Sequence, residues 1–500
     1  MKSKWIKLLA MLFAASLVAA ACGSTANTAA DTVDGDDSAE SDDGGDDGGD
    51  DAPADAQAAL DEANARADEA EARADAAEAA GGGDGDTRQF AGEVVQITGP
   101  ERSPEEWGAI EAALDPLEEE LGATIIYTGS ADWEAEINVQ LAAGNPPDIS
   151  IFPQPGKLAD FARQGDVLEV PGPVQDFVAA NWAPGAIEFG NVDGTQFGVP
   201  NKNDLKSLVW YRPEVFEAGG YEIPETYDEF RSLVATMIDD GITPLCVGIE
   251  SGQATGWVFT DWVEDLLLRF EGPEVYDQWV TNEVPFSDER IVAIFDEIIE
   301  LWNTDGAVFA AGGSIAATNH SAGNAEGLID GDCAMVRQAS FFSGFLPEGT
   351  SDQVDVFYFP ALDTETRPVL GGGTLAGAFI DRPVVWEIMS YFASPEYANA
   401  RQAAQQGFQG GEGALSGFNT ANLNVDRDLW APLEASFIGI LQDAAIFRFD
   451  GSDLQPAEVG AGTFWTEATA VVTGERTTVE AAANIDASWP TGDEDSEDDG

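Results

Sequence analysis

Basic residues, cysteine and histidine are scarce in this 500-residue chain, and each scarcity closes off a class of function. Lys and Arg number 22 against 92 Asp and Glu, a formal net charge of −70. That balance excludes nucleic acid as a partner and a polybasic membrane patch as an anchor. Between residues 87 and 490 there are 65 acidic and 17 basic residues, so the body itself carries roughly −48. A heavily hydrated surface suited to a salty medium accounts for this, since salt screens the self-repulsion. The one histidine, His320, sits in the loop-like AATNHSAGN, and the chain holds three cysteines. This argues against a zinc site and, with no G-x-S-x-G elbow, against a Ser-His-Asp triad. No metal and no cofactor are expected. The apolar run Leu8–Val18 is too short to span a bilayer.

What is present begins at that run. Lys2, Lys4 and Lys7 flank it, and Ala19-Ala20-Ala21 lead into Cys22. The segment resembles a bacterial lipoprotein signal, which implies lipidation of Cys22 and a membrane anchor that does not cross the bilayer. Ala19 stands where that pattern usually has Leu, and the alternative is an ordinary signal peptide cleaved near Cys22; both export the chain. Residues 23–86 read as an acidic tether. Up to residue 56 they lack the large apolar side chains that would offset ordering entropy. Residues 57–80 are rich in Ala and Glu and predict a solvated helical spacer of roughly 35 Å. Leu60 is their one large aliphatic residue, so a coiled-coil seam is not expected. Residues 491–500 read as a second acidic tail that is expected to be disordered. Cys246 and Cys333 remain, and in an exported chain they are expected to pair, two buried thiols being the alternative.

The body, about 400 residues, exceeds what one core supports and predicts two domains. It opens with strand Glu93–Thr98, then helix Pro104–Leu121, whose Trp107, Ile110, Leu114, Leu117 and Leu121 recur every three or four residues. Strand Thr124–Thr128, helix Trp133–Ala143 and strand Asp148–Phe152 follow. This β-α-β-α-β order predicts a parallel sheet with covering helices, and ligands of such sheets sit beyond the carboxyl ends of the strands.

The segment Leu141–Gly156, LAAGNPPDISIFPQPG, resembles the N-lobe signature of family 1 extracellular solute-binding proteins, the substrate-capturing lipoproteins of sugar ABC transporters. Further matches keep the family's order: Val199-Pro200, Lys206–Tyr211, Pro224–Phe230, Gly256-Trp257 with Asp261-Trp262, Arg337–Phe341, Gly371–Gly373 and Gly462–Trp465. They look most like α-glucoside-binding members, relatives of maltose-binding proteins. The resemblance implies an α/β, two-lobed periplasmic-binding-protein-like (type II) fold with a hinge and an interlobe ligand cleft. Lobe one would be 87–203 plus 371–412 and lobe two 204–370 plus 413–490, with linkers near Asn201–Asp204 and Leu370–Gly373. It also implies a monomeric receptor for an oligosaccharide, delivered to ABC permease subunits driven by a cytoplasmic ATPase. The location would be the outer face of the cytoplasmic membrane. The paired cysteines would brace lobe two.

Sugar capture requires aromatic rings against pyranose C–H faces and planar polar groups for paired hydroxyls. GQATGWVFTDW offers Trp257 and Trp262 as rings and Asp261 as a bidentate acceptor, with core packing the alternative for each tryptophan. The resemblance adds Trp465 as a stacking ring. Glu101 and Asp132 follow the first and second strand ends; Asp132 equally suits a helix cap. Gln154 lies between two prolines. Asp204 stands at the first crossover, as cleft group or turn residue. Arg337 and Gln338 follow predicted strand Cys333–Val336, with Phe341 a further ring. Gly372 and Gly373 permit close backbone approach. A secreted glycosidase, needing two carboxylates across a cleft, is the other class to weigh, but no acid–base pair stands out; within binding, the alternative is a non-α-glucoside solute such as a glycosylated metabolite or compatible solute.

Overall fold

The computed structural model describes residues 88–490 together with Ala72. The lipoprotein-like segment with Cys22, the rest of the 23–86 tether and the 491–500 tail lie outside the described residues. Residues 88–490 fall within one compact unit of the chain.

Local signals set the first elements. Strand β1 (Val94–Gly99) leads to helix Pro104–Leu121, which starts at a Ser103/Glu106 capping box with Pro104 in its first turn. It ends at Gly122, whose φ of 76° favours glycine. Its Ile110, Leu114, Leu117 and Leu121 are buried as their spacing requires, while Trp107 is half-buried at the edge of that core. β2 (Thr124–Gly129), helix Trp133–Ala142 and β3 (Ile149–Phe152) complete the predicted order within a residue or two. β1 pairs in parallel with both β2 and β3.

A small hairpin, β4 (Asn191–Val192) and β5 (Thr195–Gln196), precedes β6 (Gly198–Leu205). A second sheet follows from β7 (Leu208–Tyr211), β8 (Leu245–Cys246), β9 (Val308–Phe309), β10 (Met335–Arg337) and β11 (Asp355–Tyr358). The chain then returns through β12 (Val369–Ala378) and β13 (Phe447–Phe449). The first sheet runs β13-β12-β3-β1-β2, with β6 also on β12, and the second β11-β7-β10-β8-β9. Each is a mixed α/β sheet with its own core, and together they make a bilobed periplasmic-binding-protein fold.

The two stretches expected as linkers lie side by side. Gly371, Gly372 and Gly373 pair with Leu205, Asp204 and Asn203, and a register shift follows at Thr374/Leu375. The chain leaves the first sheet through Lys206-Ser207, returns between β11 and β12, and leaves again after β13. After that last crossing, Val459, Phe464, Ala468 and Val471 join the core of the second lobe. β13 itself belongs to the first sheet, so that sheet draws on chain beyond residue 412.

Cys246 and Cys333 form a disulfide, with Cα atoms 5.5 Å apart, beside the parallel β8–β10 pairing. It closes a loop of 87 residues in sequence separation. Loss of that constraint on the unfolded chain is expected to cost about 4–5 kcal/mol. Urea unfolding of Cys246→Ala/Cys333→Ala beside the parent checks this; equal midpoints would remove the disulfide from the stability of lobe two.

Candidate ligand-binding cleft

Between the sheets lies a cavity of about 660 Å³, walled by residues from both lobes. From the first lobe, Glu101 and Gln154 reach it from just beyond the carboxyl ends of β1 and β3, the edge where such sheets bind ligands. Glu101 accepts from the Tyr127 hydroxyl at 2.8 Å and faces Arg401 at 3.6 Å. Gln154 stands just before helix Pro155–Gln164 without bonding its first turn; its Nε2 lies 3.5 Å from Glu134 and its buried Oε1 has no hydrogen-bond partner among the described residues. Asp204 also lines the cavity, 3.3 Å from Lys202. Gly373 lines it where a Cβ would stand 2.3 Å from the Lys202 carbonyl, so only glycine fits that approach.

The second lobe supplies rings. Trp257 opens helix Trp257–Phe270, and Phe341 follows β10; their centroids are 6.0 Å apart. Trp465 faces the same cavity from the end of a π-helical turn, Val459–Phe464. Lys202 stands over the Phe341 ring at 5.2 Å and Lys206 over the Trp257 ring at 5.5 Å.

Other expected residues lie elsewhere. Trp262 is 1% exposed and packs edge-on against Trp302 and Phe359, so it belongs to the second lobe's core. It lies five positions after Trp257, which turns it to a different helix face. Asp132 is exposed, off the cavity, at the start of helix Trp133–Ala142, and its side chain makes no cap bond. Gly372 is buried beside the cavity wall, where its missing Cβ leaves room for the Lys206 stem. Asp261, Arg337 and Gln338 are buried behind the wall. Asp261 spends its oxygens on Lys206 at 2.9 Å and Arg337 at 3.4 Å. Arg337 donates to the Asp261 carbonyl at 3.0 Å and to Asp265 at 2.8 Å. Gln338 donates to the His320 carbonyl at 3.2 Å.

Sequence reasoning passed over Lys206 as a site group. It lines the cavity at the β6–β7 crossing and ion-pairs with Asp261 and with Asp450, which follows β13. One ammonium thus ties together two of the three crossings and the helix of the second lobe. Asp261, Glu264 and Asp450 bring one oxygen each within 4.8 Å of one another, and Lys206 supplies the cation in their midst. Burial alone would lower the Lys206 ammonium, but Asp261 and Asp450 outweigh it and hold it well above the usual lysine range. Burial pushes Asp261 up to about 7. Burial also raises Glu264, with the Asp450 charge adding to it. The signal available in sequence was the pair of lysines in NKNDLK at a predicted crossover.

Residues 110–399 match the family described as bacterial extracellular solute-binding protein. The chain belongs to that family. This solute-binding protein is 36% identical over 392 residues to the osmoprotective compounds-binding protein GgtB of Synechocystis sp., covering 76% of this chain and 89% of that one. It is 35% identical over 412 residues to the alpha-glucosides-binding periplasmic protein AglE of Rhizobium meliloti, covering 80% and 87%. Among solved structures, a chitin oligosaccharide binding protein superimposes with a TM-score of 0.66 at 18% identity, covering 79% of this chain and 97% of that one. Maltose-bound MalE3 of T. maritima does so with 0.62 at 19%, covering 79% and 98%. Those two likenesses speak for the fold. Family membership makes the protein an extracytoplasmic receptor for a solute, not an enzyme.

Proposed function

We propose that this protein is the sugar-binding component of an ABC-type carbohydrate importer, capturing an α-glucoside between its lobes. The observation that carries this reading is the cavity's two-sided chemistry: Trp257, Phe341 and Trp465 from one lobe face Glu101 and Gln154 from the other. Rings take the apolar faces of a pyranose, and the carboxylate and amide take its hydroxyls. The name of the relative AglE supports this ligand class, and that of GgtB supports an osmoprotective compound as a second reading.

Capture works by closure about the three crossings, with lobe one before β7 and around β12 and lobe two between β7 and β11 and after β13. A ligand touching both lobes binds the closed state better, and that difference shifts the population. Contacts already joining the lobes include the Gln409 Nε2 to Gly344 carbonyl bond at 2.5 Å and the Ala457 amide to Asp160 bond at 3.0 Å. Cys22 carries the lipid anchor, the acidic tether holds the receptor near its permease subunits at high effective concentration, and a cytoplasmic ATPase drives uptake.

The test is calorimetric titration of a soluble form starting at Thr87 with maltose, maltotriose, trehalose, sucrose, palatinose and the β-linked control cellobiose. One-to-one binding of an α-linked sugar without turnover is expected. Silence toward every member would move the ligand outside this class.

A further inference from the structure

His320 is the single histidine of the chain and was legible in the sequence as a loop residue with no partner for catalysis or metal. The fold places it in the cavity wall, just before helix Ala322–Asp330. Its setting is fixed from several sides. The Glu250 carbonyl oxygen lies 3.0 Å from the His320 Nδ1 and also accepts from the His320 amide at 3.0 Å. The His320 carbonyl in turn accepts from Asn324 at 2.9 Å and from Gln338 at 3.2 Å. The ring stands edge-on between Trp257, 5.0 Å away between centroids, and Phe345, 6.2 Å away.

These contacts decide the tautomer. A backbone carbonyl can only accept, so the proton of the bond to Glu250 sits on Nδ1. In a neutral imidazole, Nε2 is then left as an acceptor. Burial, with Arg102 across the cleft adding to it, pushes the ring down to about 4 against the opposing pull of Glu250, so it is neutral at physiological pH. Nε2 has no hydrogen-bond partner among the described residues and is not among the atoms sealed from solvent, on a residue that lines the cavity. The other side chains that contribute charge to this wall are lysines, an arginine and carboxylates, among which Lys202 pairs with Asp204 and Lys206 with Asp450.

We propose that His320 is a specificity-determining residue of this receptor, its Nε2 accepting a hydrogen bond from a hydroxyl of the bound sugar. This rests on the sugar-binding reading above. A pyranose stacked on Trp257 presents its equatorial hydroxyls at the ring edge, where the imidazole stands. A neutral acceptor of fixed tautomer discriminates sharply, because a ligand lacking that hydroxyl leaves the nitrogen desolvated and unpaired. The groups that hold this residue come from far along the chain: Glu250, from the loop after β8, bonds the ring, and Gln338, just past β10, bonds the His320 backbone carbonyl. Gln338, expected to touch ligand itself, therefore acts through His320 as a positioning residue.

Having one histidine makes the test direct. The imidazole ¹⁵N spectrum of the purified protein holds a single ring signal set, and it is expected to show Nδ1 protonated and Nε2 as the unprotonated, acceptor-type nitrogen. Saturation with whichever α-glucoside of the panel binds is expected to move the Nε2 resonance upfield while Nδ1 stays in place. Two variants give the energetic side: His320→Phe keeps an aromatic ring and is expected to weaken binding roughly tenfold, whereas His320→Gln restores an acceptor and recovers most of it. The NMR arm needs no variant to fold. Sugar binding with an unmoved Nε2, a reversed tautomer, or equal affinity losses in the two variants would overturn the assignment while leaving the sugar reading intact. If no sugar of the panel binds, the functional reading falls and this inference falls with it.

Discussion

Trp257→Ala is expected to raise the dissociation constant for the cognate sugar roughly 10- to 100-fold while leaving the unfolding midpoint nearly unchanged. The ring is half-buried at the first residue of helix Trp257–Phe270, with one side open to the cavity. It forms the corner where Phe341, His320 and the Lys206 ammonium meet, at 6.0, 5.0 and 5.5 Å. Truncation removes the stacking platform and the apolar area a pyranose would cover, and stacking of this kind is worth about 1–3 kcal/mol. It leaves no buried polar group unpaired. Titration calorimetry of the variant beside urea unfolding separates the two effects, and Trp257→Phe is expected to keep part of the affinity. Unchanged affinity in Trp257→Ala would take this ring out of the site.

A large, pH-dependent effect on stability is expected at Arg337. Its guanidinium is buried and bonded to Asp261 and Asp265, and it lies 5.9 Å from the Trp262 ring and 5.7 Å from that of Phe359. Arg337→Met preserves much of the volume but leaves two buried carboxylates short of a cation. Breaking a buried pair from one side costs about 3–5 kcal/mol. The deficit depends on pH in a definite direction. Asp261 is already pushed up to about 7 by burial, so in the folded state it holds a proton that the unfolded chain releases at lower pH. A carboxylate with a raised folded pKa contributes stability below its unfolded pKa and loses it as pH rises through the folded one. The variant's deficit is therefore expected to be greatest above pH 7 and to shrink toward pH 5, as a proton takes over from the missing cation. Denaturant midpoints for parent and variant at pH 5 and 8 check this. A variant as stable as the parent at pH 8 would show that the network is not integral to the lobe. The same logic turns Asp261→Ala, attractive in sequence as a ligand-site change, into a perturbation of the network that positions Lys206.

The fold was legible where its causes are local. Ser103 with Glu106 and Thr226 with Glu229 form the capping boxes that open their helices, and apolar spacing sets the buried face of Pro104–Leu121. Glu101 and Gln154 were legible because a residue just past a parallel strand lies at the edge where ligands bind. Gly373 was legible because a crossover needs close backbone approach. Trp257 and Trp262 share one helix and one residue type, so composition cannot separate them. What separates them is the packing of Trp302 and Phe359 over one helix face and the cavity beside the other.

By itself the sequence pointed to a two-domain body opening on a parallel α/β sheet, to the two-lobed receptor family through the resemblance its ordered motifs carry, and to Cys333 as the partner expected for Cys246. Those follow from composition, short-range periodicity and ordered motifs, which act over a few residues or over the whole chain at once. The tertiary structure alone decided which polar groups face ligand and which face one another. Lys206 meets Asp261 and Asp450, and His320 meets Glu250, across 55, 244 and 70 residues of chain. A charge or an imidazole takes its role from its desolvated neighbours, and no local pattern encodes a neighbour that only folding brings near.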